Sequence, residues 1–220
     1  MDKAGIEEKK PFILSDYLRK RFKGFLDPLG AFLNRLGLMP NTVTIFGLVG
    51  NMIAALFLAR GDMIIGGLIA LAMGPIDALD GTMARLRGEP KEFGAFVDSV
   101  TDRYSELVLF GGLLYYYSNQ GNWLMTLSVY LAAAGSVLVS YVRARGQSLG
   151  MDTKVGLLSR FERYIILCPS LILSFVHIGP VNLSQIGIWL IAIFANITAL
   201  QRIGDVRRQA RASDKYPLKG

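Results

Sequence analysis

The chain has 220 residues, of which 52% are hydrophobic and only 19% charged, and its formal net charge is +7. Soluble domains carry about 25% charged residues, so this composition excludes intrinsic disorder and an ordinary soluble core. The cations sit in short clusters between long apolar runs, which excludes a nucleic-acid-binding surface, and the one cysteine, Cys168, excludes an intrachain disulfide or a cysteine-rich metal site.

In chain order, a polar stretch over residues 1–11 comes first. Phe12, Leu14, Tyr17, Leu18, Phe22, Phe25 and Leu26 then recur at spacings of mostly three and four, with cations on the opposite face. That pattern predicts an amphipathic helix lying in the membrane interface. A bilayer core about 30 Å thick needs about 20 helical residues to cross it. Six later stretches meet that length: 41–59, 63–85, 92–117, 122–145, 157–178 and 183–204. Arg35, Arg85, Arg87, Lys91, Arg143, Arg145, Lys154, Arg160 and the C-terminal cations fall on one side of these spans, and Arg60 and His177 on the other. The bias of Lys and Arg toward cytoplasmic loops then orients the chain.

The expected fold is therefore an all-α integral membrane protein with six transmembrane helices plus an N-terminal amphipathic interfacial helix. It is multi-pass in the cell membrane with both termini cytoplasmic. Residues 1–40 form the polar segment and juxtamembrane helix, 41–206 one membrane domain, and 207–220 a basic cytoplasmic tail. The +7 reads as topology, helped by attraction to anionic membrane lipids.

Ionisable groups inside spans are costly, and each is a functional candidate. The second span holds Asp77 and Asp80, and the third Asp98, Asp102 and Glu106. Spacings of three and four put each aspartate pair on one helical face, and a short loop makes the two helices neighbours. Four converging carboxylates repel one another, and hard divalent cations such as Mg²⁺, Mn²⁺ or Ca²⁺ neutralise an all-oxygen set. Gly81 and Ala84 clear the surface beside Asp80, and Gly94 does so one turn before Asp98. A phosphate or sugar can approach such backbone closely. Arg85 adds a cation suited to phosphate.

Residues 77–102 follow the pattern D-x-x-D-G-x-x-A-R-(x)8-G-x-x-x-D-x-x-x-D at every fixed position. On that segment the chain resembles the CDP-alcohol phosphotransferase family, whose six-span layout it also shares. The resemblance implies transfer of a phosphatidyl-type group from a CDP-linked lipid to an alcohol, with release of CMP. It implies that Asp77, Asp80, Asp98 and Asp102 bind two divalent cations, Mg²⁺ or Mn²⁺, and that Asp102 is also the catalytic base. By the same resemblance Gly81, Ala84, Arg85 and Gly94 contact the CDP-lipid, as do Asn41, Thr42, Val43 and Thr44 at the start of the first span. Lys91, in the loop between the motif halves, is placed within reach of the diphosphate. A homodimer is also implied, and Gly111 and Gly112 permit close helix contact.

The acceptor is set outside the motif. Ser140 and Arg143 end the fourth span, Arg160 and Arg163 begin the fifth, and Arg202 lies near the end of the sixth. These cations suit a phosphate on the acceptor. The segments look like the branch that makes phosphatidylinositol phosphate from inositol 1-phosphate, with Arg143 where that branch has Lys. Glycerol 3-phosphate, the acceptor of a phosphatidylglycerophosphate synthase, is the main rival. Because intramembrane acids also mark ion pathways, a divalent-cation transporter is the reading from a different class. Against it, nothing comparable continues across the first, fourth or sixth span.

Overall fold

The computed structural model describes residues 14–88 and 91–212, with the side chains of 14–23, 25, 77 and 91 outside the description. Punctuation in the sequence accounts for most helix ends. Helix α1 covers Leu14–Arg35. Helix α2, Pro40–Arg60, opens with proline at its first position, where a missing N–H costs nothing, and closes on Gly61 at φ 92°. Helix α3, Met63–Arg87, closes on Gly88 at φ 68°. Helix α4 covers Lys91–Asn119, and α5, Trp123–Ser148, begins where the Asn122 side chain accepts the Met125 N–H at 3.1 Å. Helix α6, Arg160–Ile172, starts on a capping box between Ser159 and Glu162. A two-residue hairpin, β1 His177–Ile178 with β2 Val181–Asn182, then leads into α7, Leu183–Ala212.

Helix α2 packs on α3 and α4, α5 on α7, and α6 lies against α3 and α7. The contacts are made by small and polar residues. Helix α2 buries Gly47, Gly50, Asn51, Ala54 and Ala55, and turns Ile45, Phe46, Val49, Met52 and Leu56 outward. Small residues inside and large apolar ones outside is the pattern of a helix solvated by lipid. Four helices are long and apolar enough to cross a membrane, α2, α3, α5 and α7, and none buries even half of its apolar window. The chain is an all-helical membrane protein with seven helices and four candidate spans among the described residues.

Three expectations change. The stretch 157–178 does not form one helix: α6 has 13 residues, about 20 Å, too few to cross a bilayer core alone. The residues before it are held as a loop by α7, where Thr198 Oγ1 accepts the N–H groups of Leu157 and Leu158 at 3.1 and 3.0 Å. The last helix runs past 204 to Ala212 and takes in Arg207, Arg208 and Arg211. Gly112 serves packing within the chain, since a Cβ there would strike the backbone of Ala55 on α2. A helix, α1, covers the stretch expected to lie in the interface. Phe12 lies outside the described residues, and Leu26 is buried with Val43, Leu79 and Met83.

Candidate active site

The site forms where α3 ends and α4 begins. On α3, Asp80 is 6% exposed, and the hydroxyl of Thr44, one turn into α2, donates to its carboxylate. The spacing of Asp80 and the N-terminal turn of α2 thus places a carboxylate under a hydroxyl with no water between them. Asp77 lies one turn earlier on α3, with its side chain outside the description. On α4, Asp98 is half-buried, and Asp102, one turn on, takes the guanidinium of Arg160 at 2.6 Å. No group of three or more His, Cys, Asp or Glu side chains that could hold a metal ion is found among the described residues.

The donor chemistry nevertheless suits a hard cation, because every candidate ligand is a carboxylate oxygen and Asp102 already holds a cationic partner. The surroundings leave room for a ligand. A Cβ at Gly81 or Gly94 would meet nothing within 4 Å, so packing explains neither glycine. Arg85 is exposed, with Nη2 donating to Thr82 Oγ1 at 2.8 Å, and Ala84 beside it is half-buried. Of the first turn of α2, Asn41 is half-buried, Thr42 exposed, Thr44 bound to Asp80, and Val43 packed among apolar side chains. The side chain of Lys91 lies outside the description.

The cations expected at an acceptor phosphate divide in two. Arg143 and Arg160 are open, 42% and 37% exposed, and Arg143 Nε lies 3.7 Å from Asp152. Ser140, one turn before Arg143, is half-buried. Arg163 is 1% exposed: Nε and Nη2 donate to Glu106 at 2.6 and 2.8 Å, and Nη1 donates to Leu158 O at 3.3 Å. Arg202 is 5% exposed and clamps two carbonyls, Val155 O at 3.0 Å and Val139 O at 2.8 Å. These two guanidiniums join helices and carry no open face.

Two small cavities adjoin Arg160 and share Asn51, Ser105 and Tyr164 in their walls. Each has a volume of about 20 Å³, enough for one water. Asn51 Oδ1 is buried with no hydrogen-bond partner among the described residues. Neither Asn51 nor Tyr164 is expected at the site from the motif. The one available signal is an amide within an apolar span.

A family model for CDP-alcohol phosphatidyltransferase matches residues 37–198. The chain belongs to that family, and it is an enzyme of the CDP-alcohol phosphatidyltransferase type. It is 36% identical over 210 residues to the phosphatidylinositol phosphate synthase of Streptomyces avermitilis, covering 92% of this chain and 86% of that one. It is 33% identical over 194 residues to the archaetidylinositol phosphate synthase of Pyrococcus horikoshii, covering 87% and 96%. Among solved structures it resembles the Mycobacterium tuberculosis phosphatidylinositol phosphate synthase with CDP-DAG bound, with a TM-score of 0.79 and 30% identity over 89% of this chain and 98% of that one. The same mycobacterial enzyme with manganese and citrate matches with a TM-score of 0.75 at 31% identity, over 83% and 88%. Family membership sets aside the cation-transporter reading.

Proposed function

We propose that the enzyme transfers a phosphatidyl-type group from a CDP-linked lipid to a hydroxyl of inositol 1-phosphate, giving phosphatidylinositol phosphate and CMP. One observation carries the acceptor: the open cation Arg160 lies 2.6 Å from Asp102. A phosphorylated polyol offers a hydroxyl to be deprotonated and, nearby, a phosphate to be held. Asp102 and Arg160 supply the two partners side by side. The naming of the Streptomyces relative and of the mycobacterial structure for the same product supports this choice.

In this reading Asp102 takes the acceptor's hydroxyl proton, the oxygen bonds to the lipid-side phosphorus, and the bond from that phosphorus to CMP breaks. Asp77, Asp80, Asp98 and Asp102 would hold two divalent cations, Mg²⁺ or Mn²⁺, which neutralise the diphosphate and the departing CMP. The manganese in the mycobacterial structure supports that assignment. Thr44 orients Asp80, while Gly81, Ala84, Arg85 and Gly94, with Asn41, Thr42 and Lys91, border the CDP group. Val43 shapes this border from the apolar side. Ser140, Arg143, Arg160, Arg163 and Arg202 would receive the acceptor's phosphate, with Arg163 and Arg202 also holding the elements that carry the others. Helix α4, and α6 together with the chain on either side of it, would complete six crossings around a domain spanning 41–206. The site opens to the cytoplasm and the enzyme works as a homodimer.

The test is CMP release by the purified protein from CDP-diacylglycerol with Mg²⁺ or Mn²⁺, offering inositol 1-phosphate, glycerol 3-phosphate, inositol and serine in parallel. Fastest release with inositol 1-phosphate is expected. Faster release with glycerol 3-phosphate would make the enzyme a phosphatidylglycerophosphate synthase, and preference for inositol or serine would remove the phosphate from the account.

A further inference from the structure

Helix α3 runs through Pro75, two residues before Asp77. A proline has no N–H and crowds the carbonyl four residues earlier, here that of Leu71, so this turn of α3 lacks one rung of the helix. Tyr164 of α6 grips that turn. Its hydroxyl donates to Ala70 O, and its ring lies on Gly74, where an added Cβ would stand 3.0 Å from Tyr164 Cε1 and 3.3 Å from the hydroxyl oxygen. The glycine lets the ring reach the backbone of α3. Ala70, Gly74 and Asp77 follow at spacings of four and three, so the stripe that Tyr164 holds is the one on which Asp77 stands a turn later.

From this we infer that Tyr164 is a positioning residue for the metal-binding carboxylates. The four aspartates are divided between α3 and α4, which touch each other little, while α2 packs on both. Helix α6 supplies a second link. Tyr164 holds α3, and Arg160, one turn earlier on the same face of α6, meets Asp102 of α4 at 2.6 Å. Both residues also line the two small cavities beside Asn51 and Ser105. Neither contact of Tyr164 involves a charge, so both persist whichever anion Arg160 holds. With its proline turn anchored to α6, α3 presents Asp77 and Asp80 at one angle to Asp98 and Asp102. Without the hydroxyl that turn bends freely, and a two-metal centre needs its carboxylates at ligand distance together. The inference rests on the proposed metal centre and adds to it a residue that touches neither metal nor substrate.

The experiment is calorimetric titration of the purified protein with Mn²⁺, for wild type, Tyr164→Phe, Pro75→Ala and P75A/Y164F. Melting temperatures are read alongside, with the KM for the alcohol that wild type turns over fastest. Tyr164→Phe keeps the ring and removes the hydroxyl. It should weaken Mn²⁺ binding about tenfold, melt within about 4 °C of wild type and leave the acceptor KM within about twofold. Pro75→Ala returns the missing N–H, so it removes what the hydroxyl supports. In that background Tyr164→Phe should weaken Mn²⁺ binding by less than about twofold. Unchanged Mn²⁺ affinity in Tyr164→Phe, whatever its melting temperature or acceptor KM, overturns the inference. So does an equal loss in both backgrounds, which would separate the hydroxyl from the proline turn. Absence of Mn²⁺ binding by wild type would instead remove the metal centre, and with it this role for Tyr164.

Discussion

Arg163 and Glu106 form a forked ion pair between helices, with partners 57 residues apart in the chain and both shielded from solvent, at 1% and 15% exposure. Removing one partner leaves the other charged and buried, which costs about 3–5 kcal/mol, whereas removing both together is close to neutral. Glu106→Ala and Arg163→Ala should therefore each lower the melting temperature in detergent much more than E106M/R163M does. Equal melting temperatures for all three would show that the pair contributes nothing to folding.

Asp102→Asn keeps the shape of the side chain and removes its ability to take a proton. General-base losses run to about 10²–10⁴ in rate, so CMP release should fall by at least about a hundredfold. Because the Arg160 contact is partly exposed, the melting temperature should change little. Turnover near wild type would remove Asp102 from the base role.

Gly81→Ala and Gly94→Ala separate ligand space from folding. In the structure nothing lies within 4 Å of either added methyl, and alanine is favoured over glycine in a helix by about 0.5–1 kcal/mol. Both variants should fold at least as stably as wild type, yet show a higher KM for the CDP-lipid. An unchanged CDP-lipid KM would mean that the open space is not used by the donor.

Thr44→Val tests the support of Asp80. The valine keeps the volume and loses the hydroxyl that donates to the carboxylate. Loss of a partner that orients a metal ligand typically lowers metal affinity about 10–100-fold. Calorimetric titration with Mn²⁺ should show weaker binding, and unchanged affinity would detach Thr44 from the proposed metal centre.

Much of this architecture is legible in the amino-acid sequence. The spacing of Asp77, Asp80, Asp98 and Asp102 points to a candidate site on α3 and α4, because a helical period is a local property of the chain. The break in 157–178 is not legible there. An apolar run looks the same whether it is one helix or a loop and a short helix, and the loop is held by Thr198, 41 residues from Leu157. Burial of Arg163 and Arg202 is hidden for the same reason: their partners are Glu106 and Val139 on other helices and Leu158 and Val155 in the loop before α6, and three of the four are backbone carbonyls. No sequence pattern marks a carbonyl that will accept from a distant arginine.

In the proposed reaction, recognition of the acceptor's phosphate falls to Arg160 beside Asp102. Its most direct test is the ratio of CMP-release rates with inositol 1-phosphate and with unphosphorylated inositol, measured for wild type and Arg160→Ala. Charge-assisted contacts to a phosphate contribute about 1.5–3 kcal/mol each, so the wild type should prefer the phosphorylated acceptor by at least about tenfold, and Arg160→Ala should lose most of that preference. A preference that survives intact in Arg160→Ala would contradict the account.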